Sequence, residues 1–416
     1  MVNKVVIVGG GFAGIAAAKQ FSNTNFEVVL IDKKNHHLFQ PLLYQVASAA
    51  LSPADISAPI REILSDAKNI RVILDEVTSI DKENNKVICR SNKVLGYDHL
   101  ILAPGARPSY FGKTKWKNFA PGLKTLEDAL TIRNRILKSF EQCELERRDE
   151  LNFVIVGAGP TGVELAGAFA EIAYDVLLKD FRHFDPSKTK IYLVEGGDHV
   201  LPAYKGELSR QAKELLEQLG VIVLANHFVS DIESDHVILS KGDEKIRINS
   251  NNVIWAAGNR VSPLIEGLNV EIDRMGRAIV NKDLSLKEYP NIYILGDAAH
   301  FVGKHEQVLP SLAPVASQQG RHVAKNIIDF KREPFRYLDK GSMATIGKFK
   351  AVMDFHGLKM AGLFAWLSWS IVHVLFLINF RNRFMVFVQW AFALLLHRKG
   401  VMIITEREST KSEKDD

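Results

Sequence analysis

The sequence predicts an α/β protein with two parallel sheets of the Rossmann type and an additional helical region near the C-terminus. A short β-branched strand, a glycine-rich turn and a helix-compatible segment occur in this order twice, with the turns starting at Gly9 and at Gly157. The third observation is an apolar, tryptophan-rich block within residues 355–405. We therefore predict two Rossmann-like dinucleotide-binding domains plus a C-terminal amphipathic helical membrane-binding region.

Length and composition limit the class of protein before any motif is considered. The chain has 416 residues, of which 24% are charged and 47% hydrophobic. These values are close to globular averages and exclude a disordered chain and a polytopic membrane protein, while the length predicts two or three domains. Cys89 and Cys143 have no paired spacing, which argues against a disulfide framework or a thiolate metal site. We predict no bound metal.

The first βαβ unit comprises the strand 5–8, the turn 9–14, a helix and the strand 28–31. In such a unit the glycines permit a tight turn and a close approach of the backbone to a pyrophosphate at the helix N-terminus. A carboxylate that ends the second strand accepts hydrogen bonds from a ribose hydroxyl, although a solvated strand-end carboxylate is the alternative. The predicted dinucleotide contacts are Gly9, Gly11, Phe12, Ala13, Gly14, Asp32 and Lys33.

The second unit repeats this order through the strand 153–156, the turn 157–162, a helix at 163–173 and the strand 191–194. Glu195 ends the last strand but follows Gly162 at an unusually long spacing, so we predict an inserted turn and loop at 174–186. A carboxylate followed by glycines disfavours a 2′-phosphate, which predicts NADH over NADPH. The predicted contacts in this unit are Gly157, Gly159, Thr161, Gly162 and Glu195, together with Ala257 and Gly258.

The segment that returns to the first domain indicates which unit holds a flavin. The strand 292–295 ends in Gly296 and Asp297, and in flavoproteins with two dinucleotide domains such an aspartate bonds the ribityl chain of FAD. We therefore assign FAD to the first unit, with Ala103 and Gly105 beside it, and NADH to the second. The predicted domains are 1–120 and 281–340 for FAD, 121–280 for NADH, 341–405 for the membrane-anchoring region, and a polar tail at 406–416.

Residues 355–405 contain five basic residues and no acidic ones, and they hold three of the five tryptophans. The segment 360–380 lacks formal charge, whereas 384–396 is too short to span a bilayer. Two apolar helices joined by Arg381, Asn382 and Arg383 favour monotopic burial in an anionic membrane surface and not nucleic-acid binding. A span by 360–380 and a hairpin buried at a dimer interface remain the alternatives.

The chain resembles the type II (alternative) NADH:quinone oxidoreductases over residues 3–405. The resemblance is carried by residues 38–61 (LFQPLLYQVASAALSPADISAPIR), residues 157–167 (GAGPTGVELAG) and the C-terminal apolar block. It implies non-covalent FAD, NADH as substrate, and hydride transfer to the flavin followed by transfer of two electrons to a membrane quinone. Disulfide reductases need a cysteine pair, and residues 39–51 contain no cysteine.

The resemblance, together with the small residues of one helix, also assigns four individual residues. Pro41 corresponds to a position beside the flavin ring, and Ala316 belongs to a helix of small residues at 311–330 that a planar ring can approach. The family motif Ala-Gln-x-Ala-x-Gln has Pro314 in place of its first glutamine, which leaves Gln318 as the candidate for a quinone carbonyl. Glu164 corresponds to a glutamate that tunes quinone access or protonation. The structural alternatives are a rigid turn at Pro41, a solvated Gln318, and a helix-dipole role for Glu164.

From these observations we expect a non-proton-pumping enzyme, since no chain of intramembrane carboxylates is evident. We expect it at the cytoplasmic face of the cell inner membrane, attached peripherally through the C-terminal helices, as a homodimer. No role is assigned to His373, because a lone histidine in an apolar helix is more often a packing residue than part of a proton relay. Two alternatives stay open at this point, namely an NADH-binding flavoprotein sensor and a reductase of a soluble electron acceptor.

Overall fold

The computed structural model describes residues 2–204, 206–396 and 401–405. The chain divides into two compact units. The first contains Met1–Leu38, Ser57–Ser109 and Asn259–Lys340, and the second contains Phe39–Ile56, Tyr110–Gly258 and Gly341–Asp416. The predicted domain bounds therefore remain predictions, and the main difference is that Phe39–Ile56 groups with the second unit. The predicted polar tail at 406–416 lies outside the described residues.

The secondary structure alternates between strands and helices as the glycine-rich repeats predict. The strands are β1 Lys4–Val8, β2 Glu27–Asp32, β3 His36–Leu38, β4 Ser57–Pro59, β5 Ile70–Leu74, β6 Val77–Asp81, β7 Lys86–Cys89, β8 Val94–Gly96, β9 His99–Leu102, β10 Ala106–Pro108, β11 Asn152–Val156, β12 Lys190–Glu195, β13 Val221–Ala225, β14 Phe228–Ile232, β15 His236–Lys241, β16 Glu244–Asn249, β17 Asn252–Trp255, β18 Asn259–Val261, β19 Ala278–Ile279, β20 Ile292–Ile294, β21 Ala299–His300, β22 Ser342–Gly347, β23 Lys350–Phe355 and β24 Leu358–Ala361. The α-helices are α1 Phe12–Gln20, α2 Leu43–Ala47, α3 Ile60–Ile63, α4 Leu126–Glu146, α5 Pro160–Glu171, α6 Glu207–Gln218, α7 Pro263–Glu266, α8 Ala313–Ile328, α9 Leu363–Phe376 and α10 Phe380–Leu396. Short 3₁₀ helices cover Gln40–Leu42, Pro53–Asp55, Thr114–Asn118, Pro186–Lys188, Gly296–Ala298 and Lys304–Glu306, and a π-helical turn, Ile172–Val176, extends α5.

The first unit is built on a parallel sheet in the order β20-β9-β1-β2-β5. Side chains alternate across the sheet, because successive residues of a strand point to opposite faces. Val5 and Ile7 pack with the helices α1 and α8, whereas Val6 and Val8 pack with the antiparallel strands β6–β8. The two helices approach closely at Gly320, where a Cβ atom would lie 2.2 Å from the carbonyl oxygen of Ala13.

The second unit repeats this architecture with the parallel order β13-β12-β11-β17. On one face, Phe153 of β11 contacts Phe140 of α4 and Phe169 of α5, with ring centroids 5.8 and 5.7 Å apart. On the other face, Val154 and Trp255 pack with the antiparallel strands β14–β16. Each parallel sheet thus has helices on one face and a three-stranded antiparallel sheet on the other.

The C-terminal region of the second unit begins with an antiparallel sheet, β22–β24, that the sequence analysis did not predict. The apolar helices α9 and α10 follow it. The prediction that Arg381, Asn382 and Arg383 join these helices is wrong, because α10 begins at Phe380 and residues 377–379 form the connection. Leu377 adopts an extended conformation that ends α9, and its carbonyl oxygen accepts a 2.8 Å hydrogen bond from Nε of Arg383.

Residues 360–380, which the sequence leaves open as a membrane span, divide into the end of β24, the 14-residue helix α9 and a connection. Within the ranges that the structure describes, none of the helices has both the length and the apolar character needed to cross a membrane.

Candidate functional site

The first glycine-rich turn leaves space beside Gly11 and is closely packed at Gly9 and Gly14. At Gly9 (φ +103°) a Cβ atom would lie 2.2 Å from the carbonyl oxygen of Ala103, and at Gly14 it would lie 1.8 Å from the carbonyl oxygen of Gly9. At Gly11, which caps the N-terminus of α1, a Cβ atom would meet nothing within 4 Å. The turn therefore leaves an open position where backbone N–H groups and the helix dipole favour a phosphate.

Asp32 lies at the end of β2 and connects this turn to the strand. Its carboxylate accepts hydrogen bonds from the backbone N–H of Gly10 and, at 2.7 Å, from that of Lys34. A carboxylate oxygen has two acceptor positions, so each oxygen of Asp32 keeps one for a ligand hydroxyl. The backbone bonds hold the carboxylate next to the open position at Gly11.

The second turn reproduces this geometry. At Gly157 (φ +99°) a Cβ atom would lie 2.8 Å from Cα of Ala257, and at Gly162 it would lie 1.8 Å from the carbonyl oxygen of Gly157. Gly159 caps α5, and a Cβ atom there would meet nothing within 4 Å. Thr161 is exposed in the first turn of α5. Both turns therefore fit the pyrophosphate of a dinucleotide.

Glu195 occupies the position in the second unit that Asp32 occupies in the first. Its carboxylate oxygens accept hydrogen bonds from the backbone N–H groups of Ala158 and Gly197, each at 2.8 Å. The additional residues between Gly162 and Glu195 form the π-helical turn Ile172–Val176 and the loop that follows it. The carboxylate therefore reaches the same place beside the glycine-rich turn in both units.

Three further predicted FAD contacts, Gly296, Asp297 and Ala316, lie around the N-terminus of α8. Gly296 (φ +64°) begins the 3₁₀ turn that contains Asp297, and a Cβ atom on Gly296 would lie 3.3 Å from Cβ of Ala316. The amide side chain of Gln319 is buried and accepts a 2.7 Å hydrogen bond from the N–H of Gly296. The sequence analysis missed Gln319, although the helical spacing from Ala316 places it on the buried face.

In each unit, two of the predicted small residues lie just after a strand of the parallel sheet. Ala103 and Gly105 follow β9, and Ala257 and Gly258 follow β17. Gly105 (φ +69°) and Gly258 (φ +70°) both adopt the left-handed conformation that favours glycine. Ala103, before Gly105, is buried, and Ala257, before Gly258, contacts the first glycine of the second turn. Ala103 and Ala257 therefore lie directly against the first glycine of the glycine-rich turn in their units.

Gln318 has an amide group that is fixed by the backbone of Leu338. Its Nε2 donates to the carbonyl oxygen of Leu338 and its Oε1 accepts from the N–H of Leu338, both at 2.9 Å. The amide nitrogen carries two N–H groups, so one of them remains after this pairing. The structure thus assigns Gln318 a backbone partner that the sequence did not indicate.

Glu164 lies on the face of α5 that packs against β22. Gly167, one helical turn further along, lies so close to this strand that a Cβ atom would be 1.8 Å from the carbonyl oxygen of Ile346. Burial raises the pKa of the Glu164 carboxyl group well above its ordinary value, against the opposing effect of the backbone N–H of Thr345. Glu164 is therefore held in its neutral form at pH values where an exposed glutamate is ionised.

Residues 39–56 supply a polar cluster close to Glu164 in the second unit. Pro41 lies in the 3₁₀ turn Gln40–Leu42, directly before α2. Nε2 of Gln45 donates to the hydroxyl oxygen of Tyr44 at 2.9 Å, and the negative charge of Glu164 contributes, after burial, to raising the pKa of Tyr44 well above its ordinary value. Tyr44 and Gln45 are thus a buried, hydrogen-bonded pair of the second unit.

His373, to which the sequence analysis assigned no role, contacts Trp369 of its own helix. Its Nδ1 lies 2.8 Å from the carbonyl oxygen of Trp369, and its ring stacks on that indole with centroids 4.3 Å apart. Burial lowers the pKa of His373 to about 4, although the hydrogen bond to Trp369 opposes the shift. The imidazole is therefore neutral near pH 7.

Comparison with known proteins gives the class to which this fold and site belong. Residues 3–320 match the family model described as pyridine nucleotide-disulphide oxidoreductase, and residues 340–399 match the model described as the NDH2 C-terminal domain. The second match covers the sheet β22–β24 together with α9 and α10. The fold and the two glycine-rich turns thus define a two-dinucleotide oxidoreductase with a specialised C-terminal domain.

Individual relatives narrow this class. The chain is 39% identical to the type II NADH:quinone oxidoreductase Ndh of Mycobacterium tuberculosis, covering 98% of this chain and 91% of the relative, and 40% identical to NdhA of the same organism, covering 97% and 90%. The structure of NDH2 from Plasmodium falciparum in complex with NADH has a TM-score of 0.88 at 22% identity, covering 96% of this chain and 99% of that one. The chain belongs to the type II NADH:quinone oxidoreductase family. The predicted family, fold class and enzyme class are confirmed.

Proposed function

We propose that this protein transfers a hydride from NADH to non-covalently bound FAD and then two electrons to a membrane quinone, without pumping protons. The observation that carries the proposal is the repeated site: an open glycine-rich turn and a carboxylate held by two backbone N–H groups occur once in each unit. Two such sites fit two dinucleotides, one as cofactor and one as substrate.

The first unit holds FAD in this proposal. Gly11 and the N-terminus of α1 would hold its pyrophosphate, Asp32 would accept a hydrogen bond from a ribose hydroxyl, and Asp297 would accept one from a hydroxyl of the ribityl chain. The residues of the first unit that we propose for this site are Gly9, Gly11, Phe12, Ala13, Gly14, Asp32, Lys33, Ala103, Gly105, Gly296, Asp297 and Ala316, whereas Pro41, which belongs to the second unit, remains a prediction from the sequence. When bound, FAD supplies an acceptor for the hydride of NADH and a two-electron donor for quinone.

The second unit binds NADH at Gly159 and the N-terminus of α5. Glu195 accepts hydrogen bonds from the adenosine ribose, and its negative charge repels the 2′-phosphate of NADPH. Gly197 supplies the N–H that fixes Glu195 and carries no side chain that could neutralise such a phosphate. This arrangement favours NADH as the substrate.

The catalytic residues of this proposal are Glu164 of the second unit and Gln318 of the first, and each is argued from the contacts within its own unit. Because Glu164 holds its proton when an exposed carboxyl group has lost it, the carboxyl oxygen is able to pass a proton to a quinone oxygen as that atom gains negative charge. Gln318 keeps one amide N–H beyond its pairing with Leu338, and this N–H donates to a quinone carbonyl.

The C-terminal helices attach the protein to an anionic lipid surface at the cytoplasmic face of the cell inner membrane. Phe364, Leu367, Ile371 and Leu375 form an exposed apolar stripe on α9 at helical spacing. Arg381, in the first turn of α10, is exposed and complements anionic lipid headgroups. A quinone dissolved in the bilayer then reaches the enzyme without crossing water. We retain the homodimer as part of this proposal.

The test follows the flavin absorbance of the purified holoenzyme through two separate half-reactions. Stoichiometric NADH should bleach the flavin, and liposomes that contain a quinone should restore its absorbance rapidly. Bleaching without recovery would indicate an NADH-binding flavoprotein sensor and not an enzyme. Recovery with a soluble acceptor but not with quinone would indicate a reductase of that acceptor. A preparation that neither contains nor takes up FAD would overturn the proposal.

A further inference from the structure

Gly10, in the first glycine-rich turn, has both of its backbone polar groups held by side chains of the first unit. Its N–H donates to the carboxylate of Asp32, and its carbonyl oxygen lies 2.9 Å from Nδ1 of His37. Gly10 and His37 are buried, whereas Gly11 is exposed. The strand β3 brings His37 to this place through its pairing with Ala58 of β4.

The chemistry of the two groups fixes the tautomer of His37. A carbonyl oxygen only accepts hydrogen bonds, so Nδ1 of His37 must carry the proton. Burial lowers the pKa of His37 to about 4, against the opposing effect of the bond to Gly10, and the imidazole is therefore neutral near pH 7. Its Nε2 is then a bare acceptor, which is buried and has no hydrogen-bond partner among the described residues. An apolar side chain would avoid this cost, so the donor at Nδ1 is what distinguishes histidine at this position.

The orientation of the Gly10 carbonyl group determines where the next N–H group points. The peptide bond between Gly10 and Gly11 is trans, and the C=O and N–H groups of a planar trans peptide point in opposite directions. Because the carbonyl group is held toward the buried ring of His37, the N–H of Gly11 is directed to the opposite side. Gly11 is exposed there, caps α1, and would have space around an added Cβ atom. This is the open position that favours a phosphate.

The second glycine-rich turn fixes the equivalent peptide with a different donor. The N–H of Ala158 donates to Glu195, and its carbonyl oxygen accepts a 2.7 Å hydrogen bond from the backbone N–H of Leu201. Leu201 is buried and has a φ of +50°, a left-handed conformation that leucine rarely adopts. Each unit thus tolerates an unfavourable local feature at the residue that holds this carbonyl group: an unpaired imidazole nitrogen in the first unit and a left-handed leucine in the second.

We propose that His37 is a positioning residue for the pyrophosphate of FAD, which holds the carbonyl group of Gly10 inward and thereby directs the N–H of Gly11 outward to a phosphate oxygen. This role rests on the proposed function, because it belongs to the FAD site of the first unit. Leu201 performs the equivalent task in the second unit through its main chain. Since the donor in the first unit is a side chain, substitution can remove it.

The tautomer of His37 is measured by ¹⁵N NMR on the wild-type holoenzyme with labelled histidine. We expect an imidazole with a protonated Nδ1 and an unprotonated Nε2 at pH 7, assigned through the loss of its signals in His37→Asn. A proton on Nε2 in place of Nδ1 would leave no donor for the carbonyl oxygen of Gly10 and would overturn the proposal. The measurement requires neither turnover nor a destabilised variant, so it decides the proposal even if other substitutions of His37 prevent folding.

Three substitutions in β3 separate the Nδ1 donor from ordinary packing. His37→Leu removes the donor but keeps a branched apolar side chain, whereas His37→Asn retains an N–H donor two bonds from Cβ, as Nδ1 is. His36→Leu is the matched control, because the ring of His36 lies next to Asn35 at 3.0 Å and not at the turn.

The release of FAD from the holoenzyme, followed by the rise in flavin fluorescence, compares these variants. We expect His37→Leu to speed release about tenfold, the scale of one hydrogen bond to a charged group. His37→Asn should stay within about threefold of the wild type, and His36→Leu within about twofold. Equally fast release from His37→Leu and His37→Asn would show that the ring acts through packing alone and would overturn the proposal.

The ³¹P resonances of bound FAD report on the pyrophosphate directly. They should shift in His37→Leu and return toward the wild-type positions in His37→Asn, while the KM for NADH stays unchanged because the second turn has its own donor. Unmoved resonances in His37→Leu would refute the positioning role even in an enzyme that reduces quinone. The expected shifts in a protein whose reduced flavin is not reoxidised by quinone would reject only the proposed function.

Discussion

Gly167 lies so close to Ile346 that a Cβ atom on the glycine would be 1.8 Å from the carbonyl oxygen of Ile346. This contact allows α5, whose N-terminus forms the proposed NADH site, to pack on the first strand of the C-terminal sheet. Glu164 and Glu171 flank the contact on the same face of α5, and Glu171 accepts a hydrogen bond from the backbone of Lys348. The glycine therefore sets the distance between the helix and the C-terminal domain.

Gly167→Ala should destabilise the protein, because backbone atoms of β22 would have to move to admit the methyl group. Overpacking of this kind costs about 1–3 kcal/mol, and we expect a loss at the upper end, measured as the urea midpoint of unfolding. Gly267→Ala is the control, since its added Cβ would lie 3.6 Å from its nearest neighbour and its φ is −68°. Equal stability of the two variants would show that α5 and β22 can separate freely.

Asp32 and Glu195 occupy equivalent positions in the two units. We expect Asp32 to affect the binding of FAD and Glu195 to affect the binding of NADH. Glu195→Gln should raise the KM for NADH about tenfold and narrow the preference over NADPH, because it removes a charged acceptor of the ribose hydroxyls. Asp32→Asn should instead lower the FAD content of the purified protein. Steady-state kinetics and the flavin-to-protein absorbance ratio check the two outcomes. If Asp32→Asn changes the KM for NADH while the flavin content stays normal, the assignment of the two sites is reversed.

The sequence was sufficient to predict the two βαβ units, because strand patterns, glycine spacing and strand-end carboxylates are local features. It predicted the position of Glu195 at a strand end despite the inserted turn, because the residues before Glu195 keep the apolar pattern of a buried strand. It missed Gln319, although its spacing from Ala316 places it on the buried face of α8. It gave no sign of the hydrogen bond that Nε1 of Trp390 donates to Oε1 of Gln45, because hydrogen bonds between distant polar residues leave no periodic pattern in either segment.

Glu164 and Glu144 predict opposite dependences of stability on pH. The pKa of Glu164 is raised in the folded state by burial, so the unfolded chain loses this proton first and folding stability falls as pH rises above about 4.5. Glu164→Gln removes this loss, and its melting temperature relative to the wild type should increase from pH 4.5 toward pH 8. A constant difference over this range would show that Glu164 ionises normally.

Glu144 supplies the control of opposite sign. Burial alone would raise the pKa of its carboxyl group, but hydrogen bonds from His183, Phe184 and Arg182 lower it to about 2. The stabilisation is present above pH 4.5 and is lost as pH falls toward 2, because only then does the folded state take up the proton. Glu144→Gln should therefore melt below the wild type at pH 7 and approach it in acid.

The exposed stripe on α9 predicts how the protein reaches its quinone. Phe364 and Ile371 are 71% and 61% exposed and lie on one face of the helix. Insertion of each side chain into lipid contributes about 2 kcal/mol, so replacing both by serine should weaken binding to anionic liposomes by several hundredfold, on the scale of about tenfold per 1.4 kcal/mol. Sedimentation with the liposomes measures this loss directly.

Phe111→Ser provides a matched control for the membrane prediction, because Phe111 is 70% exposed but lies outside the C-terminal helices. It should leave liposome binding unchanged. The double variant of α9 should keep rapid flavin reduction by NADH and electron transfer to ferricyanide, since these steps require no lipid, while losing turnover with a long-chain quinone in liposomes. If turnover with that quinone persisted after liposome binding was lost, membrane attachment through α9 would not be needed for the quinone to reach the enzyme.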